Sequence, residues 1–374
     1  MDHRSRPAVV LAALLVLQGV ADAAAAYAQT APPTSSPPAG SSLLNPNISA
    51  IGWFQAQAGD QTDEENTTVF QLKEVELGVQ AAVDPHSRAD IFISFSPDEG
   101  VDLEEGYLTL LTLPAGVVAK LGRFRANFGK FNRTHPPETA FADRPLAAER
   151  FLGEEGFTET GASISWQIPV GFYLNLDGEV SNTPESFETP SFQYTEGKDL
   201  LYLTRLNAYL DLSESSNLTL GTSYANGANG FAQADSTSAP EALRAGLFDV
   251  DATFRWKNPR RAIYRSWRVQ GEWYRRSAEQ LGGPNIDRSG GFAYADYQFS
   301  RRWHAGARYD WSDQLDGPAE PPATGVLGFL TFTPSEFSLL SLQVRHQDLE
   351  GGVSQMEYFF KTTFNVGPHG QHPF

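Results

Sequence analysis

Cysteine is absent from the chain, which excludes a disulfide framework, a thiolate-bound metal and thiol catalysis. Beyond the first 28 residues no stretch approaches the roughly 20 consecutive apolar residues that a membrane-spanning helix needs. Any crossing of a bilayer must therefore use strands, because only helices and closed barrels satisfy every backbone polar group in lipid. Basic residues are in the minority: 28 Lys and Arg against 45 Asp and Glu give a formal charge of −17. That balance argues against nucleic-acid binding, which leans on a positive surface. No composition break divides the chain after its N-terminus, so one large β unit is expected over residues 47–374.

The first 28 residues carry the grammar of a secretory signal: Arg4 and Arg6, an apolar run from Ala8 to Val20, and Ala26, Tyr27 and Ala28 as a small-x-small cleavage site. Its removal takes away two basic and two acidic residues and leaves the charge at −17. Residues 29–46 are rich in Pro, Ser and Ala and cannot bury a core, so they are expected to form a flexible periplasmic lead-in.

From Asn47 onward the chain alternates, side chain by side chain, in sixteen short runs, the first over 48–58 and the last over 353–366. Between Arg302 and Asp310, for example, Trp303, Ala305, Ala307 and Tyr309 share one face and Arg302, His304, Arg308 and Asp310 the other. Connections alternate between tight (Pro114–Gly116, Ser300–Arg301, Pro334–Ser335) and long (126–156, 182–198, 226–243, 277–289). Even strand number with short turns at one end and long loops at the other is the pattern of an outer-membrane barrel. The expected fold class is therefore all-β: a transmembrane antiparallel up-and-down β-barrel of about sixteen strands. Trp166, Phe172, Trp256, Trp267, Phe299, Trp303, Phe332 and Phe337 flank the short turns, and Tyr224, Trp273, Tyr309, Trp311 and Tyr358 lie toward the other ends, as headgroup-level aromatic girdles require.

An arginine facing lipid at mid-membrane costs about 2 to 4 kcal/mol, so the charged face must be the inner one. About sixteen strands leave room for an aqueous channel. Earlier strands are expected to line it with Glu74, Glu76, Glu105, Asp177 and Glu179, and later ones with Arg255, Arg268, Arg276, Arg302, Arg308, Arg345 and Lys361. Opposed walls of this kind would set a field across the pore and discriminate ions. Ion pairing between adjacent strands accounts equally well for some of the arginines. The longest connection, 126–156, is the third outer loop and is rich in aromatic, basic and proline residues. It is expected to fold into the barrel as a constriction, with Lys130, Arg133, His135, Asp143 and Arg144 as its site residues.

LEEGYLTLL (103–111), LGRFRANFGKFNRTHPPETAFADRPLAAERFLGEEGFTETGASISW (121–166) and the closing GPHGQHPF resemble a family of porin-like Gram-negative outer-membrane barrels. That family is distantly similar to the phosphate-selective porins, and some relatives bear the label of zinc-regulated TonB-dependent receptor. The resemblance implies sixteen strands, insertion among outer-membrane lipids and a homotrimer. The chain departs from the phosphate pattern in having only six lysines, and from a TonB-dependent receptor in having no segment long enough for a plug.

The function expected is passive diffusion of small hydrophilic solutes or ions, with no enzymatic activity, cofactor, metal centre or nucleic-acid partner. An outer-membrane lipase or protease, a surface adhesin and a role in metal uptake are the rivals. His346 falls on the lipid-facing side without a serine beside it in sequence, and His369 and His372 form a lone pair in a Gly/Pro-rich tail, where a solvated segment is the simpler reading. Phe374 resembles the aromatic C-terminus read by the outer-membrane assembly machinery.

Overall fold

The computed structural model describes residues 46–60, 70–97, 100–183, 189–193, 199–232, 241–261, 264–315 and 320–367. The secretory signal, most of the lead-in, the tail histidines and Phe374 lie outside them. Sixteen antiparallel strands run in sequence order and close on themselves, with β1 (Asn47–Gly59) pairing β16 (Val353–Val366) from Ala50 opposite Val366 to Gly59 opposite Glu357. Closure removes both sheet edges and leaves no unpaired backbone row to face lipid.

Alternation decides which face goes where. On β8 (Leu200–Ser213) and β11 (Ser266–Ala278), Tyr202, Leu206, Trp267, Val269 and Trp273 point outward and are exposed, while Arg205, Gln270, Glu272 and Arg276 are buried inside. The girdles form where expected, with Trp267 stacked on Tyr297 and Trp303 against Phe332 near the short turns, and Tyr309 against Trp311 toward the long loops. Leu206 sits mid-strand on the outer face, opposite Leu176 of β7 (Tyr173–Asn182). Leu206→Arg is expected to destabilise the barrel by about 2 to 4 kcal/mol, measured by denaturant titration of folding into lipid vesicles. An unchanged midpoint would place that face away from lipid.

The loop of residues 126–156 folds into the lumen, between β5 (Val117–Arg125) and β6 (Thr158–Gln167), and carries two 3-10 turns, Phe131–Arg133 and Pro136–Glu138, and one short α-helix, α1 (Leu146–Leu152). Here the expectation of a lumen ionic all round needs correction. Phe128, Phe131, Phe141, Phe151 and, just after the loop, Phe157 are buried against inward-facing Leu203, Leu247, Tyr274, Phe292, Leu327 and Phe329. The reason is energetic: an ordered insert of this length must bury apolar surface to offset its lost freedom, at about 1.5 to 3 kcal/mol for each large side chain. The wall facing it has to be apolar where the aromatic side chains land. Buried carboxylates remain around the wall, Glu74 and Glu76 on β2 (Phe70–Asp84), Glu104 and Glu105 on β4 (Gly100–Leu110), and Asp249, Asp251 and Glu272 on the strands that also carry Leu247 and Tyr274.

Candidate functional site

The loop is held to the barrel wall by hydrogen bonds to its own backbone. Glu179 accepts from the backbone N–H and the side-chain amide of Asn127, at 3.0 and 2.6 Å, and Ser223 Oγ accepts from the Gly129 N–H at 3.0 Å. Glu272 Oε1 accepts from the N–H groups of Lys130 and Phe131, at 3.1 and 2.6 Å. Gly129 has φ +62°, and a Cβ there would stand 2.8 Å from Glu272 Oε2; only glycine lets the backbone come this close to the wall. Asn132, fully buried, ties the loop's two ends: its amide donates to the carbonyls of Ala126 and Phe157, and its Oδ1 accepts from the Phe157 N–H at 2.8 Å.

Next along the loop, His135 is enclosed by three carboxylates. Its Nδ1 lies 2.8 Å from both Glu76 Oε2 and Glu104 Oε2, and its Nε2 lies 2.7 Å from Glu105 Oε1. Burial and the Arg125 charge oppose protonation of the ring, but Glu76 and the hydrogen bonds to Glu104 and Glu105 outweigh them and hold its pKa well above the ordinary value. Consecutive glutamates cannot both face inward on a regular strand. A bulge between β3 (Ser87–Ser96) and β4 resolves this, because Phe92 pairs with Glu105 and Ile93 with Leu103, leaving Glu104 as the extra residue.

Asp143 forms the third anchor. It takes a two-pronged contact from Arg308, Nη1 to Oδ1 at 3.0 Å and Nη2 to Oδ2 at 2.7 Å, and a further one from Arg345 Nη1 at 2.6 Å. Arg308 also donates to Asp310 at 2.7 Å and lies over the Phe141 ring, while Arg345 pairs with Glu357. Burial works against the charge on Asp143, but the two guanidinium groups outweigh it and hold the carboxyl below the usual carboxylate range. A lowered carboxyl pKa gives stability that is present above the unfolded value, near pH 4, and is lost as pH falls through the folded one. Beside this anchor the buried Lys361 donates to the carbonyls of Pro136, Thr139 and Phe141, at 3.2, 2.9 and 2.8 Å, and lies over the Trp53 ring.

The arginines assigned to the pore wall thus fall into three sets. Arg276 (to the Ser191 carbonyl and Asn229), Arg308 and Arg345, with Lys361, hold internal segments in place. Arg255 and Arg268 instead line an open cavity of about 800 Å3 at the short-turn end, together with Lys130, Arg133 and Arg205. Arg302 lies in the turn before β13 (Trp303–Ser312) and lines the turn-end mouth with Pro137 and Glu138. A second cavity, of about 270 Å3, opens at the long-loop end, where Asp102, Glu104, Glu154 and Glu155 meet Arg123, Arg125 and Arg144. Phe131 and Thr139 of the loop line both cavities. Asp177 and Asp251 stay on the wall, Asp177 accepting from Asn175 at 3.0 Å and Asp251 from Arg205 at 2.6 Å.

Alternation alone missed Glu104, Arg125, Asn132 and Arg205. Glu104 is hidden by its bulge and Asn132 by its place in a loop. Arg205, directly opposite Asp177 and Ser223, was within reach of the alternation of β8.

No family model matches the chain. An uncharacterized protein of Aquifex aeolicus (strain VF5) is 31% identical over 335 residues, which are 82% of this chain and 70% of that protein. Among solved structures, the anion-selective porin from Comamonas acidovorans aligns over 86% of this chain and 99% of its own, with TM-score 0.57 and 11% identity. OprB of Pseudomonas putida aligns over 86% and 94% with TM-score 0.57 and 9% identity, and the trimer form of OmpT from Vibrio cholerae over 86% and 99% with TM-score 0.54 and 9% identity. At such identities the likeness speaks for the fold, a porin-type outer-membrane barrel. The chain belongs to one family with the Aquifex aeolicus protein, and its own barrel has the architecture of the solved outer-membrane porins.

Proposed function

We propose that the protein is an outer-membrane channel through which small hydrophilic solutes or ions diffuse passively, and that it performs no covalent chemistry. The observation that carries this reading is the pair of charge-lined cavities on either side of the in-folded loop, both bordered by Phe131 and Thr139, inside a closed sixteen-strand barrel. The residues around that junction are the constriction. Selectivity is set in series along the bore rather than by opposed walls alone. The turn-end cavity carries Lys130, Arg133, Arg205, Arg255 and Arg268 against the single carboxylate of Glu138, whereas the loop-end cavity mixes both signs with acidic residues in the majority. A positive inner chamber favours anions.

The lipase and protease alternative loses support because His135 is enclosed by carboxylates, and His346, on the outer face, lies 3.5 Å from Asp348. Neither is poised against a nucleophile. A homotrimer inserted among outer-membrane lipids, delivered by signal-directed export and by assembly machinery that reads Phe374, belongs to the same proposal; the trimer form of OmpT supports it by fold alone.

Planar-bilayer recording under a salt gradient tests the reading. Discrete ohmic steps are expected, with a reversal potential on the anion side. A folded, inserted barrel that conducts nothing and fails to swell sugar-loaded liposomes would refute it.

A further inference from the structure

We propose that His135, Glu76 and Glu104 form a site for one divalent transition-metal ion that fastens the constriction loop to the barrel wall. The three residues come from separate parts of the chain, the loop, β2 and β4, and each offers one ligand atom within 4.8 Å of the others. All three are buried.

Four features point to a metal rather than to an ion pair alone. The first is spacing. His135 Nδ1 stands 2.8 Å from two carboxylate oxygens that belong to different glutamates. Ligands at about 2.0 to 2.1 Å from a first-row metal stand roughly 3 Å from one another, so these separations match the edges of a coordination polyhedron. The second is Glu76 Oε2, which is buried, lies at one corner of this group, and receives no hydrogen bond among the described residues. Its cationic neighbour is the His135 ring at 2.8 Å, and a metal that takes the place of the Nδ1 proton would keep this desolvated carboxylate paired.

The third feature is the far side of the ring. His135 Nε2 lies 2.7 Å from Glu105 Oε1, and Glu105 Oε2 in turn accepts the backbone N–H of Arg125 at 2.9 Å. With Nε2 held toward Glu105, an arriving ion would displace the Nδ1 proton and take up the lone pair that then points at Glu76 and Glu104. This is the arrangement in which a carboxylate orients a ligating histidine and raises its basicity. The fourth is charge. Glu74, Glu76, Glu104 and Glu105 are all buried, with Arg125 paired to Glu104 at 2.9 Å. Once the ring gives up its second proton, the carboxylates of Glu76, Glu104 and Glu105 outnumber the Arg125 guanidinium, an excess that a divalent ion offsets. The bulge that turns Glu104 inward is a device typical of sites where a side chain must be re-aimed.

Glu74 and Glu104 also line the loop-end cavity of about 270 Å3, which provides an entry path and room for water to complete the coordination. One imidazole nitrogen with carboxylate oxygens suits zinc, cobalt or manganese better than a thiol-seeking ion. The inference does not depend on the channel reading, because it concerns what the folded barrel retains and not what passes through it.

The test uses the full-length mature barrel, folded in detergent, stripped with EDTA and titrated with Zn2+ and then Co2+. One tightly held equivalent per chain by elemental analysis is expected, with cobalt absorption bands of an oxygen- and nitrogen-ligated ion. Glu76→Gln and His135→Gln should each abolish the bound equivalent. Glu105→Gln should weaken affinity about 10- to 100-fold, as expected for loss of an orienting partner. Circular dichroism and heat-modified gel migration establish that each variant is folded. A doubly substituted His369→Ala, His372→Ala protein should keep the equivalent, which separates this site from the tail. Absence of retained metal in the folded parent, retention in folded Glu76→Gln, or loss on removing the tail histidines would overturn the proposal.

Discussion

Asp143→Ala should raise the single-channel conductance several-fold and lower barrel stability by about 3 to 5 kcal/mol, the range for removing one partner of a buried ion pair. Asp143 is the shared counter-ion of Arg308 and Arg345, and Arg308 is about 1% exposed. Removing the carboxylate leaves two guanidinium groups near apolar rings with only Asp310 and Glu357 to answer them. The segment around Phe141 then loses its hold on the wall, and the loop is free to move away from the bore. Arg150 provides the contrast. It pairs with Glu350 at 2.6 Å nearer the surface, where both side chains are about one-fifth exposed, so Glu350→Gln should change stability by no more than about 1 kcal/mol and leave conductance alone. If Asp143→Ala folds normally and conducts like the parent, the loop is not the constriction.

Reversing two charges at the turn end should have the larger effect on selectivity. Arg255 and Arg268 stand directly opposite one another on β10 (Glu241–Lys257) and β11, both facing the lumen. Like charges across a strand pair are destabilising, and Arg255 Nε is buried without a hydrogen-bond partner. Nothing in the packing explains such a pair as well as an anion-attracting chamber does. With Arg255→Glu and Arg268→Glu together, the reversal potential under a salt gradient should change sign from anion to cation preference while the barrel stays folded. Lys130 adds a pH dependence. Burial and the nearby Arg255 and Arg268 push its ammonium down to about 8, against the opposing pull of Asp251 and Glu272. The group is cationic below that value and neutral above it, so anion preference in the parent should weaken as pH rises from about 7 to 9. Selectivity indifferent to both the double substitution and pH would make these residues architectural.

Much of the barrel was legible from alternation because a side-chain period of two carries a local signal: Trp267 and Arg268 point to opposite faces whatever surrounds them. Strand count and the two aromatic belts follow from the same regularity, whereas the expectation that residues 126–156 belong inside rests on their length and their aromatic, basic and proline content. Details failed where regularity failed. Glu104 breaks the alternation of β4 through its bulge, α1 has too few residues to announce itself, and Arg302 falls in a turn by a single position. The absence of a metal centre, expected because no close-spaced ligand set exists in the sequence, did not anticipate a group assembled from residues 76, 104 and 135.

What the sequence determined alone is the membrane-facing architecture: which residues meet lipid, how many strands close the wall and where the wide loops emerge. Each of those is set by near neighbours and by the cost of charge in hydrocarbon. What only the tertiary structure decided is the interior. Whether an arginine clamps Asp143, as Arg308 does, or lines a chamber, as Arg268 does, depends on where a loop from a different part of the barrel comes to rest. Contacts across 165 residues of chain, from Asp143 to Arg308, arise from three-dimensional closure and leave no periodic trace along the backbone.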